Sequence, residues 1–271
     1  MSTNRAKIVL VTGASSGIGR ACAELLSAQG HTVYGTSRKP AQAPAGFRML
    51  ELDVTRDDSV QAAVATVLAE QGRLDAVVNN AGYALAGPLE ETSIEEARHQ
   101  FDTNFFGVLR VCQAVLPSMR THRSGLIINV SSLGGVAGLP FQGLYSASKF
   151  ALEGLTESLR LEVASFGIQV TSLQPGDVYT PITENRVRVR QSGPDSPYRS
   201  AFATALGIIE KEERAGAPAG LVARHVLTLL ERKQVGVRYT VGRLSQRIIT
   251  AAKAFLPSRL FEHLLKSYYG L

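Results

Sequence analysis

The chain predicts a doubly wound α/β fold, one parallel sheet covered by helices on both faces. Three observations carry that expectation. Short β-branched runs alternate with longer segments of helical periodicity. Runs such as Ile8-Val9-Leu10-Val11 and Leu126-Ile127-Ile128 have no polar face, as strands buried on both sides do. Glycines cluster from Thr12 to Gly19, where the first such run meets the first helical segment.

The elements follow in order. Lys7 to Val11 reads as the first strand, and a helix runs after Gly17 to about Gln29. His31 to Thr36 and Phe47 to Leu52 are the next strands, and Ser59 to Gln71 the next helix. Leu74 to Val78, Leu126 to Val130 and Ile168 to Leu173 are further strands, with helical stretches at Ser93 to Thr121 and Ser146 to Phe166 between them. Strand alternating with helix implies right-handed crossovers and parallel pairing. Pro181 to Pro218 breaks the rhythm and holds a helical piece at Phe202 to Glu213. Leu244 to Tyr269 carries two amphipathic stretches divided by Pro257, with Leu260, Phe261, Leu264, Leu265 and Tyr268 on one helical face. That face is expected to dock on the protein's own body or on a second subunit. No repeat or linker divides residues 1–271, so one domain is expected.

Composition narrows the function classes. Of 271 residues, 45% are hydrophobic and 19% charged, enough for a sizeable core and too apolar for disorder. No apolar run approaches the roughly 20 residues of a spanning helix. Met1 to Lys7 is polar and leads into a short apolar run, unlike a secretory leader, so a cytoplasmic globular protein is expected. Cys22 and Cys112 are too few for a disulfide framework. His31, His99, His122, His225 and His263 show no metal spacing, so no metal is expected. The net charge is +6, but basic residues are dispersed apart from Arg186-Val187-Arg188-Val189-Arg190 and tryptophan is absent. An anionic small molecule fits that pattern better than nucleic acid.

The glycine loop supplies the first chemistry. Glycine lets backbone turn sharply and approach a ligand closely. The helix that follows offers unpaired N–H groups and a partial positive charge, which together suit a pyrophosphate. Gly13, Ser15, Ser16, Gly17, Ile18 and Gly19 are therefore expected to hold a dinucleotide. About 20 residues further on, NAD-binding folds place an acid on the ribose 2′-hydroxyl. Here stand Arg38 and Lys39 instead. A guanidinium grips a 2′-phosphate in bidentate fashion where a carboxylate would repel it, so NADP(H) is expected over NAD(H).

Ser131 and Ser132 follow the strand Leu126 to Val130; Tyr145 lies thirteen residues beyond Ser132, and Lys149 four beyond that. Residues four apart share a helix face. With the glycine loop upstream and Ser132 at a strand's carboxyl end, an active site is expected. Here the chain resembles the short-chain dehydrogenase/reductase family. The resemblance spans about Lys7 to Pro181: Thr12 to Gly19, Asp53, Asn79-Asn80-Ala81-Gly82, Asn104, Ser132, Tyr145-Ser146-Ala147-Ser148-Lys149 and Pro175-Gly176-Asp177-Val178-Tyr179-Thr180. It implies a Rossmann domain and a role for each matching residue. Tyr145 would exchange a proton with the substrate oxygen while the nicotinamide exchanges hydride. Lys149 would lower the phenol's pKa and hold the nicotinamide ribose, Ser132 would donate a hydrogen bond to the carbonyl, and Asn104 would hold water in a relay. Asp53 and Val54 would meet the adenine, and Asn80, Ala81 and Gly82 the adenosine ribose. Among the cofactor contacts Pro175 and Gly176 would shape a turn, and Val178 and Thr180 would meet the carboxamide, presenting the 4-pro-S hydride.

Pro181 to Pro218 would form a lid. Val136, Leu139, Phe141 and Tyr179, with Ser132 and Tyr145, would line the substrate pocket. The C-terminus, with Phe255-Leu256-Pro257-Ser258-Arg259-Leu260-Phe261, looks like the hydroxysteroid and retinol dehydrogenase branch. It implies a bulky apolar ketone or alcohol, steroid- or retinoid-like, acted on by a homodimer or homotetramer. A ketoacyl-thioester reductase and a non-catalytic NADP(H)-binding regulator are the alternatives.

Overall fold

A computed structural model describes residues 6–40, 46–253 and 255–271. The start of the polar stretch, residues 1–5, lies outside them. Seven parallel strands form one sheet: β1 (Ile8–Val11), β2 (Thr32–Ser37), β3 (Arg48–Glu51), β4 (Ala76–Asn79), β5 (Gly125–Val130), β6 (Ile168–Pro175) and β7 (Arg238–Val241). Their order is β3-β2-β1-β4-β5-β6-β7, so the chain reverses direction across the sheet between β1 and β4. Ligands bind at such a switch point, outside the carboxyl ends of the strands. The register there is tight: Leu10 lies between Tyr34 of β2 and Val77 of β4.

Alternation along each strand builds two cores. Ile8, Leu10, Val77, Ile127 and Val170 point to the face covered by α2 (Asp57–Gln71), α4 (Gly107–Thr121) and α5 (Gly143–Glu162). Val9, Val11, Val78, Ile128 and Leu173 point to the opposite face, covered by α1 (Gly17–Ala28) and a helix from Ala219 to Glu231. That helix and β7 extend the alternation past Leu173, where the last strand expected from the sequence ends. The helix signal was present: Val222, Ala223, Val226, Leu229 and Leu230 repeat with helical spacing after Pro218 and are all buried.

The helical stretch expected from Ser93 to Thr121 is helical from Ile94 to Thr121 but is not one regular α-helix. α3 (Ile94–Phe101) starts on a capping box between Ser93 and Glu96, and a π-helical turn, Asp102–Phe106, separates it from α4. The segment after β6 contains α6 (Arg199–Arg214) and makes two short strand pairings, Val187–Arg188 with Leu85–Ala86 of the loop after β4, and Val178–Tyr179 with Ala217–Pro218. With Ala219–Glu231 counted as α7, the chain closes on α8 (Leu244–Ala252) and α9 (Ser258–Tyr269). No helix among the described residues is long and apolar enough to cross a membrane.

Candidate active site

A cleft of about 1390 Å³ runs along the carboxyl ends of the strands, from the glycine loop to α9. Gly13 (φ +67°) and Gly17 (φ +56°) adopt left-handed backbone that side chains disfavour. A Cβ on Gly19 would collide with the Gly13 carbonyl and the Asn80 amide. The Asn80 amide donates to the carbonyls of Thr12 (2.9 Å) and Gly13 (3.1 Å), fixing the loop from behind. Ser16 caps α1 without a side-chain bond and no acid occupies the first turn, so the helix's own first turn leaves its positive end unneutralised. Ser15, Ser16, Gly17 and Ile18 line the cleft there. This cradle fits a pyrophosphate, and the residues present therefore fit a nicotinamide dinucleotide.

Arg38 stands on the cleft wall at the end of β2; Lys39 is exposed beside it, off the wall. Asp53 faces the same end. Burial pushes its carboxyl up, but the Thr55 N–H (2.9 Å) and hydroxyl (2.7 Å), with Arg38 and Arg56 nearby, hold it below the usual range. It is thus a firm hydrogen-bond acceptor. Val54, Ala81 and Gly82 complete that wall.

At the far end, Ser132 follows β5, and Tyr145 and Lys149 share one face of the first turns of α5. The Ser132 hydroxyl accepts from the Gly134 N–H (3.0 Å) and is hydrogen-bonded to the Tyr145 hydroxyl. Lys149 is 6% exposed; its ammonium donates to the Val130 carbonyl (2.8 Å) and lies 5.9 Å from the Tyr145 ring centre. Here the electrostatics depart from expectation. Burial raises Tyr145 above an ordinary phenol, and the Ser132 bond and Arg186 oppose it only in part. Burial also pushes Lys149 down to about 8 against the pull of Glu153. Burial outweighs the groups that favour the phenolate, so the phenol keeps its proton.

Asn104 is fully buried on the π-turn, and its side chain accepts from the Tyr83 N–H (3.1 Å) and donates to the Tyr83 carbonyl (3.0 Å) and Ser148 hydroxyl (3.3 Å). It ties the loop after β4 to α5. Pro175, Gly176, Val178 and Thr180 line the cleft beyond Tyr145, and so does Leu139. Three expected pocket residues do not. Phe141, at φ +57°, packs its ring 5.4 Å from that of Phe202 on α6. Tyr179 is 64% exposed, turned outward by its pairing with Pro218. Val136 is off the wall, and its carbonyl accepts from Lys253.

Other residues take their place. Asp177, Glu212, Glu213 and Gln246 line the cleft near Tyr145, and Leu256, Phe261, Leu264, Leu265, Tyr268 and Tyr269 make an apolar wall from the C-terminal helices. Asp177 stands inside the motif read from the sequence. The two glutamates and Gln246 join it only through the packing of α6 and α8, which no local pattern announces.

Residues 7–191 match the family model described as short chain dehydrogenase. A 3-ketodihydrosphingosine reductase of Bacteroides thetaiotaomicron is 47% identical over 98% of this chain and 98% of its own. Among solved structures, a short chain dehydrogenase/reductase from Burkholderia phymatum in complex with NAD superposes with a TM-score of 0.81, at 25% identity over 97% of each chain. An alcohol dehydrogenase from Thermococcus sibiricus complexed with 5-hydroxy-NADP superposes at 0.69, with 26% identity over 89% of this chain and 97% of its own. Both forms of the dinucleotide thus occur among similar structures.

Proposed function

The chain belongs to the short-chain dehydrogenase/reductase family of oxidoreductases, and from that premise we propose that it is an NADPH-dependent reductase of a long-chain, apolar ketone. One observation carries the reading. A single cleft joins the glycine cradle and Arg38 at one end to Ser132, Tyr145 and an apolar wall at the other. The name of the 47% relative suggests the ketone. 3-Ketodihydrosphingosine is a long alkyl chain whose carbonyl is flanked by an amine-bearing carbon. It meets the demand for a bulky apolar substrate first drawn from the steroid and retinoid resemblance.

When bound, the dinucleotide supplies the hydride. The chain's own residues supply the rest. Tyr145 starts protonated because burial holds its pKa above the ordinary phenol range, which is the state a ketone reduction needs. Its hydroxyl gives that proton to the substrate oxygen as negative charge grows there. Ser132, fixed by the Gly134 N–H, donates a hydrogen bond to the same oxygen. Lys149, still largely charged at pH 7 with its pKa at about 8, favours the phenolate left behind. Arg38 selects the 2′-phosphate.

The test is NADPH absorbance with long-chain ketones, ketoacyl thioesters and small polar ketones. Long-chain ketones are expected to turn over fastest. Tyr145→Phe should lower kcat by about 10²–10⁴-fold, and Arg38→Asp should cut the NADPH-over-NADH preference by roughly tenfold to a hundredfold. Binding of NADPH with no turnover of any ketone would overturn the reductase reading in favour of a regulator. Turnover of thioesters alone would overturn the substrate class.

A further inference from the structure

Three carboxylates converge at the reacting end of the cleft: Asp177, two residues past β6, and Glu212 and Glu213 on α6. Two of them already have cations. Glu213 accepts from the Thr183 hydroxyl (2.7 Å) and pairs with Arg186, whose side chain is 2% exposed. Glu212 pairs with Arg243 at 2.9 Å. Asp177 differs. One carboxylate oxygen accepts from the Gln246 amide of α8, and among the described residues neither oxygen lies within ion-pair distance of a cation. Arg243 reaches it only through the longer-range field.

Its position is specific. Asp177 follows Pro175-Gly176 on the cleft wall, and its charge is felt at the hydroxyls of Tyr145, the proton donor, and of Tyr268 and Tyr269 in the apolar wall. A carboxylate removed from water is costly unless a partner restores what water supplied. Burial, with Glu213 and Glu212 close by, pushes Asp177 up to about 6, so at neutral pH the cleft wall carries a charge that no ion pair among the described residues neutralises.

We propose that Asp177 is a subsite for an ammonium on the carbon next to the reacting carbonyl, making the preferred substrate a long-chain α-amino ketone. The inference rests on the ketoreductase reading and names its substrate class. The ammonium donates a charge-assisted hydrogen bond to the carboxylate oxygen that Gln246 leaves available. The tail lies along Ile209, Leu256, Phe261, Leu265 and Tyr269, which line the same end of the cleft. A neutral ketone of equal length fills the apolar wall but leaves the Asp177 charge unmatched, so the residue discriminates against it as well as in favour of the amine. A metal ion suits the site less well, since Glu212 and Glu213 are already engaged by arginines.

The experiment compares kcat/KM for a long-chain α-amino ketone with that for the same ketone lacking the amine, in wild type, Asp177→Asn and Asp177→Glu. Wild type should favour the amine. The ratio of the two constants should fall by roughly tenfold to a hundredfold in Asp177→Asn and recover in part in Asp177→Glu. Dodecylammonium should also inhibit wild-type turnover of the neutral ketone more strongly than dodecanol, a comparison that needs no variant. A ratio unmoved in Asp177→Asn, or equal inhibition by the two dodecyl compounds, overturns the subsite and leaves the ketoreductase reading standing. Failure of the wild type to reduce either ketone overturns that reading and the subsite with it.

Discussion

At Tyr145, burial and hydrogen bonding pull the phenol in opposite directions, and burial wins. The same contest, without a strong opponent, governs Asp177. Its folded pKa of about 6 lies above the ordinary 3.8, so the folded protein keeps the proton longer than the unfolded chain does. Stability from this group is therefore full below pH 3.8, falls as pH rises toward about 6, and stays lower above it. Asp177→Asn removes the penalty. Thermal or urea unfolding should show the variant more stable than wild type by on the order of 2–3 kcal/mol at pH 7.5, converging with it near pH 3.5. A variant no more stable at pH 7.5 would mean that the carboxylate is better solvated than its surroundings imply.

Among the elements, the junction of β1, the glycine loop and α1 has the least room. Gly19 sits where any Cβ would meet the Gly13 carbonyl and the Asn80 amide. Gly19→Ala should cost about 1–3 kcal/mol in urea unfolding. It should also weaken NADPH binding by titration, because the loop that must yield is the one proposed to cradle the phosphates. Unchanged affinity would separate the cradle from the dinucleotide. The glycine spacing was plain in the sequence, whereas the π-turn at Asp102–Phe106 was not. Asn104 is held there by Tyr83, distant in the chain, and a periodicity of apolar residues carries no trace of that bond.

Over the whole molecule, the cleft is assembled from both ends of the chain. The glycine loop builds one end, while α8 and α9 bring Gln246, Phe261, Leu264 and Tyr268 to the other. Leu264 is 50% exposed, so Leu264→Glu should leave the melting temperature nearly unchanged. Its carboxylate would meet the substrate's tail. KM should rise roughly tenfold for a long-chain ketone and little for a short one, given that burying each methylene is worth about 0.8 kcal/mol. Equal effects on both chain lengths would place the tail elsewhere.

By itself the sequence determined the alternation of strand and helix, the glycine cradle, and the presence of Ser132, Tyr145 and Lys149 near a strand end. Those features are written in short-range spacing, where periodicity and turn chemistry act over a few residues. It also indicated that Arg38 stands at the end of the second strand, on the cleft wall, because twenty-odd residues of a βαβ unit have little freedom in where that strand ends. Only the tertiary structure decided that Phe141 turns onto Phe202, that Tyr179 faces outward, that Tyr145 keeps its proton, and that Arg186 and Arg243 neutralise two glutamates and leave Asp177 unmatched. Burial and charge pairing depend on distances between residues far apart in the chain, and those distances exist only once the helices have packed.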